Sequence, residues 1–186
     1  MNTISPDAIW GVSAAAGLAL FLWLGLPRTL KSLGLHPDYQ GPSFHLSGKR
    51  ALIITTSHAT LDRPGRAGGK PTGVFGSELT QPYYTFLDGG MRVDVSSLRG
   101  GQIPIEPDSF RWFIACAQDR RYLGDPELQR QTQQSIPLSA VDFKLYDIIF
   151  LSGGWGAAYD LAQSEALGEG ITQAWASGAV IGGVCH

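Results

Sequence analysis

Near the C-terminal end of the 186-residue chain, a thiol and an imidazole stand side by side as Cys185-His186, directly behind Gly182-Gly183-Val184. In a nucleophile elbow the reactive side chain sits on a sharp strand-to-helix turn, and small neighbours relieve the crowding there. A helix N-terminus beyond such a turn favours the thiolate, which is the attacking form of cysteine. Glu78 adds a carboxyl at the start of a helix, able to trade a proton with a thiol or to hold a bound carbonyl compound. Gly153 and Gly154 add bare backbone N–H groups that can donate to a developing oxyanion. Each feature also has a plainer meaning. A cysteine ending an apolar strand is more often core packing, and a first-turn glutamate ordinarily offsets the helix dipole. A glycine pair behind a strand is ordinarily a tight turn. Taken alone, the residue types favour the plainer set, and adjacency in sequence does not bring His186 against Cys185.

Two other glycine motifs carry no chemistry. The run from Gly65 to Pro71 is a residue short of a phosphate loop, and Pro71 stands where a Ser or Thr would hold Mg²⁺. Gly154-Trp155-Gly156 follows a strand as a dinucleotide fingerprint does, but Tyr159 fills its third small position.

The elements that must position these residues alternate in type. Residues 49–56 (KRALIITT) read as a first strand, apolar on both faces as in the interior of a parallel sheet. Residues 57–73 read as a long polar loop, and a helix is expected from about Ser77 to Leu87, closed by Gly89-Gly90. A second strand follows at 91–96, then a helix opened by Asp125-Pro126. The third strand, 144–152, ends at Gly153-Gly154, and a helix over 164–177 precedes the fourth, 179–184, which delivers Cys185. Strands alternating with helices predict a parallel sheet covered on both faces, with ligands beyond the carboxyl ends of the strands. Gly153-Gly154 and Cys185 therefore belong to one edge of the molecule.

Composition narrows the function classes. A net charge of −2, a pI near 6.0 and scattered basic residues leave no electrostatic footprint for nucleic acid. Two cysteines, Cys116 and Cys185, are too few for a disulfide framework or a zinc site, and Cys116 reads as core packing. Residues 8–26 contain no charge and are about as long as a membrane-spanning helix. No Lys or Arg precedes them, whereas Arg28 and Lys31 follow, and Trp10 and Trp23 lie near the ends. This asymmetry predicts a membrane anchor within residues 1–27, with the following domain on the cytoplasmic side. A signal peptide cleaved on export and a buried helix are the alternatives. Residues 28–48 read as a linker in which His36 and His45 are loop residues, and residues 49–186 as the folded domain.

Four segments in fixed order carry a resemblance: Lys70 to Phe86, Gly89 to Ser109, Tyr146 to Leu161, and Ala179 to His186. Together they resemble the ThiJ/PfpI superfamily, which shares the class I glutamine-amidotransferase-like fold, and within it the glyoxalase III and deglycase/chaperone branch. The resemblance implies a three-layer α/β sandwich around a mostly parallel, flavodoxin-like sheet. It makes Cys185 the elbow nucleophile and Glu78 the acid that hydrogen-bonds the thiol, with His186 behind the cysteine. Gly153, Gly154 and Trp155 become the oxyanion and substrate pocket, with the Gly154 and His186 N–H groups as donors, and Asp160 becomes a structural residue. Trp155 departs from the family, where a histidine often follows the glycine pair, and is expected to narrow the pocket.

The implied activity is conversion of methylglyoxal or a related 2-oxoaldehyde to a hydroxy acid through a cysteine thiohemiacetal, with no metal, nucleotide or glutathione. The same fold also hosts cysteine hydrolases or amidotransferase-like enzymes and non-catalytic chaperone or redox-sensing modules. A homodimer is compatible with it. Family members continue past Cys-His with a further helix, strands and an acidic partner for the histidine. The 186 residues are therefore expected to be a fragment cut inside its own active site, inactive by itself.

Overall fold

A computed structural model of the chain describes residues 6–35 and 39–185. His36 and His186, both named above, lie outside them. The described residues fall into two compact units. One holds the residues up to Gly41 together with Trp112–Ile114, and the other holds Pro42–Arg111 and the chain from Ala115 onward.

In the first unit, helix α1 runs Pro6–Ser32 with Pro27 inside it. Its stretch Trp10–Ser32 has a mean hydropathy of 1.5 and is long and apolar enough to cross a membrane, a test that signal sequences near an N-terminus also pass. Its large apolar side chains, among them Trp10, Phe21 and Trp23, are exposed.

In the second unit, five strands form one parallel sheet: β1 (Arg50–Thr55), β4 (Arg92–Ser97), β5 (Ile136–Pro137), β6 (Ile148–Ser152) and β7 (Val180–Val184), in the order β5-β4-β1-β6-β7. Ala51 to Ile54 of β1 are completely buried, so an uninterrupted apolar run is what a central parallel strand requires. Its side chains alternate between two cores. Ala51 and Ile53 join Val93 and Val95 in a core with Leu79 and Tyr83 of α2 (Gly76–Asp88). Leu52 and Ile54 join Ile149 and Phe143 in a core with Leu167 and Ala174 of α6 (Glu165–Ala176). These layers, helix on sheet on helix, are the three-layer α/β sandwich expected from the sequence.

Local chemistry sets the helix ends. The Asp125 carboxylate accepts the Glu127 and Leu128 N–H groups ahead of α4 (Pro126–Gln133), with proline in the first turn. The Ser164 hydroxyl accepts the Leu167 N–H at 3.2 Å to start α6. A side chain on Gly170 would meet the Phe143 ring at 2.3 Å, so glycine sets how closely α6 packs.

Residues 57–73 correct the expectation of a long loop. They contain an antiparallel hairpin, β2 (Thr60–Arg63) and β3 (Arg66–Pro71). Pro64-Gly65 makes the turn, with Gly65 at φ +73°, as a type II turn demands of its third residue. The strands escape a reading by apolar alternation because neither buries a face. Short helices α3 (Ala117–Tyr122) and α5 (Ala157–Asp160) complete the unit, and the third strand begins at Ile148, behind a 3₁₀ turn over Phe143–Leu145.

Candidate active site

The chain runs outward from β1 to β4 and β5, then crosses back to β6 and β7. The strand order thus switches between β1 and β6, where an open α/β sheet leaves its crevice. Gly153 follows β6 and Cys185 follows β7 at that edge, and strand pairing sets Ser152 level with Val184. Cys185 is exposed and has φ +64°, the one positive φ outside glycine among the described residues. Only a constrained turn keeps an L-residue in this left-handed region, and a nucleophile elbow is such a turn.

Gly153 brings the candidate residues together. A Cβ on it would stand 2.5 Å from the Val184 carbonyl oxygen, 2.7 Å from Cys185 Cβ and 2.8 Å from Glu78 Oε2. Cys185 Cβ and the Glu78 carboxyl oxygen therefore both border one point at Gly153 where only a hydrogen fits. Glu78 reaches this place from the first turn of α2, half-buried. Two hydrogen bonds tie that turn to the end of β6: the Phe75 N–H donates to the Gly153 carbonyl at 3.3 Å, and the Ser152 hydroxyl donates to the Glu78 carbonyl at 2.8 Å.

The glycine turn is pressed close to the same segment. Gly154 has φ +112°, and a side chain there would lie 2.5 Å from the Phe75 nitrogen and 2.6 Å from the Gly73 oxygen. Both its backbone angle and its surroundings require glycine. The Gly154 N–H donates to no acceptor among the described residues. Trp155 is exposed. A cavity of about 450 Å³ opens beside Cys185 and Gly153 on the α6 side of the sheet, walled by Leu151, Leu161, Leu167 and Ile171. Neither Gly154 nor Trp155 lines it. His186 and its N–H lie outside the described residues. Among the described residues, no three His, Cys, Asp or Glu side chains gather as metal ligands would.

Asp160 braces the edge from the side of β1. Its carboxylate accepts the Thr56 hydroxyl and the Ser57 N–H, each at 2.8 Å. Asp119, fully buried, accepts the Thr80 hydroxyl at 2.7 Å and the Cys116 N–H at 2.9 Å, fastening α2 to α3. Cys116 is buried, and that burial pushes its thiol pKa up. Ser152 and Asp119 were not singled out from the sequence. The one available signal for Ser152 was a proline four residues after Glu78.

Fold and site together define an α/β domain whose candidate nucleophile stands on the turn after a parallel strand, with a carboxyl bordering the same glycine. No protein-family model matches the chain. A probable glutathione-independent glyoxalase of Saccharomyces cerevisiae is 30% identical over 156 residues, covering 76% of this chain and 59% of its own length. A glutathione-independent glyoxalase of Schizosaccharomyces pombe is 29% identical over 141 residues, covering 75% and 57%. Among solved structures, the 24 kDa rapid encystment protein of Francisella tularensis superposes with a TM-score of 0.67 at 33% identity, covering 74% of this chain and 59% of that one. Glyoxalase III from Candida albicans does so with a TM-score of 0.64 at 25% identity, covering 74% and 57%. These similarities support the ThiJ/PfpI superfamily that the motifs imply. The chain spans less than three-fifths of the length of these relatives.

Proposed function

We propose that the complete protein is a glutathione-independent glyoxalase acting on methylglyoxal or a closely related 2-oxoaldehyde. The observation that carries this reading is the meeting of Glu78 Oε2 and Cys185 Cβ around Gly153. The Cys185 thiolate adds to the aldehyde carbon, forming a C–S bond, and the aldehyde oxygen takes up a proton to give a hemithioacetal. Glu78, with His186, removes the proton from that carbon and returns one to the neighbouring ketone carbon. The electron pair left behind reduces the ketone to an alcohol, and the former aldehyde carbon becomes a thioester. Water cleaves the thioester, freeing the thiol and releasing the 2-hydroxy acid; methylglyoxal plus water equals lactic acid, with no external oxidant or reductant. The Gly154 N–H is the donor for the oxyanion formed at each addition. The relatives named as glutathione-independent glyoxalases support the choice of substrate class.

The test is lactate formation from methylglyoxal by the complete gene product, without added thiol. Turnover that Cys185→Ala reduces to the uncatalysed background is the expected result. Undiminished turnover in Cys185→Ala would refute the reading. Within the same proposal α1 is a retained membrane anchor, with Arg28 and Lys31 holding the following domain on the cytoplasmic side.

A further inference from the structure

Pro82 lies inside α2, four residues beyond Glu78. In an unbroken α-helix the N–H at that position donates to the Glu78 carbonyl. Proline has no N–H, and its ring crowds the carbonyl of the residue four places earlier. That carbonyl accepts the Ser152 hydroxyl instead, at 2.8 Å. Ser152 is completely buried, is the last residue of β6, and stands in strand register with Val184, the residue before Cys185. One strand end therefore governs both halves of the site. It holds the Glu78 turn through a hydrogen bond, and it sets the level of Cys185 through its pairing with β7.

We propose that Pro82 and Ser152 act as a pair of positioning residues: the proline withdraws the helix's own donor from the Glu78 carbonyl, and the buried serine uses that carbonyl to pin the carboxyl against Cys185. A residue with an N–H at position 82 would satisfy the carbonyl within the helix and leave the helix start free to shift along the sheet. The Phe75 N–H, bonded to the Gly153 carbonyl at 3.3 Å, fixes the same turn at a second point but does not fix the rotation of the first helical turn by itself. This inference rests on Glu78 and Cys185 forming an acid–thiol pair, and it does not depend on which aldehyde is the substrate.

The experiment follows alkylation of Cys185 by iodoacetamide against pH in the complete gene product, with the modified cysteine identified by peptide mass. Glu78→Gln is expected to move the midpoint of that profile, because it removes the carboxyl that borders Gly153 beside Cys185. Ser152→Ala is expected to move it the same way by a comparable amount. The double variant Ser152→Ala/Pro82→Ala is expected to return it to the wild-type position, since losing the proline supplies a helical N–H to the carbonyl that residue 152 no longer serves. A wild-type midpoint in Ser152→Ala would overturn the proposal, and so would a double variant no closer to wild type than the single one. The double variant decides the matter even where Ser152→Ala is too unstable to assay, for it must then fold and titrate as wild type does. If Glu78→Gln leaves the midpoint unmoved, the acid–thiol pairing falls and the positioning with it. Absence of methylglyoxal turnover, by contrast, would overturn the proposed activity alone.

Discussion

Cys185 Cβ lies 2.7 Å from the point at which a side chain on Gly153 would begin. The candidate nucleophile is thus seated against bare backbone, and the smallest possible substitution collides with it. Gly153→Ala must also displace the Val184 carbonyl, 2.5 Å away, and backbone cannot rotate aside as a side chain can. We expect the fold to survive by circular dichroism and turnover to drop roughly 10²-fold, as a misplacement on the order of 1 Å does in other sites. Wild-type turnover in this variant would show that the elbow tolerates a displacement we take to be costly.

The φ of +64° at Cys185 makes a second prediction, about stability against function. An L-residue in the left-handed region carries about 1–2 kcal/mol of strain that glycine does not. Glycine recovers most of it, less what it loses as the floppier chain when unfolded. Cys185→Gly should therefore be more stable than Cys185→Ala by about 1 kcal/mol in chemical denaturation, while both lack turnover. Equal stabilities would mean the backbone relaxes out of this conformation at little cost.

Legibility in the sequence followed the range of the interactions. β1 and α6 were readable because burial on two faces and a helical apolar pattern write themselves into neighbouring residues. The Cys185 elbow was readable as a position, since Gly182-Gly183 precede it, but only the family likeness favoured reactivity over core packing. Glu78 taken alone looked like a dipole-compensating surface residue, because its distance to Cys185 depends on how β6 and β7 pair. The Ser152 hydroxyl bonds a carbonyl 74 residues away, and no local pattern records such a contact. The hairpin over 60–71 was missed for the opposite reason: its turn signal, Pro64-Gly65, is local and strong, but its strands bury too little to show a period.

Asp160 gives a third prediction. Thr56 and Ser57 are buried, and the Asp160 carboxylate accepts a hydrogen bond from each. Asp160→Ala leaves two buried donors without that acceptor, which costs about 2 kcal/mol for groups of this kind. The urea midpoint should fall accordingly, and Asp160→Asn, which keeps one carbonyl oxygen, should lie between alanine and wild type. A midpoint unchanged in Asp160→Ala would mean water replaces the carboxylate at this edge.

The two cysteines should differ sharply in reactivity. Cys116 is buried, and burial disfavours its thiolate, raising its pKa from the ordinary thiol value. At about pH 8, where an ordinary thiol begins to ionise, the Cys116 thiolate is therefore scarcer than usual as well as shielded. Iodoacetamide should label the exposed Cys185 and spare Cys116 in the folded protein, and label both once the protein is unfolded in urea. Equal labelling in the folded state would show that α3 opens readily at its N-terminal cap.

The last prediction concerns α1. Trp10–Ser32 combines 23 residues of mean hydropathy 1.5 with exposed large apolar side chains, a length and composition sufficient to cross a membrane. With the proposed anchor in place, the complete gene product should remain in the membrane pellet through alkaline carbonate extraction. A variant lacking residues 1–32 should move to the supernatant. Protease added to sealed right-side-out membranes should leave the following domain intact, because Arg28 and Lys31 favour the cytoplasmic side. Recovery of a soluble, exported species whose mass lacks the apolar segment would replace the anchor by a cleaved signal. That outcome would also place Cys185 in a more oxidising compartment, where an exposed thiol does not long stay reduced.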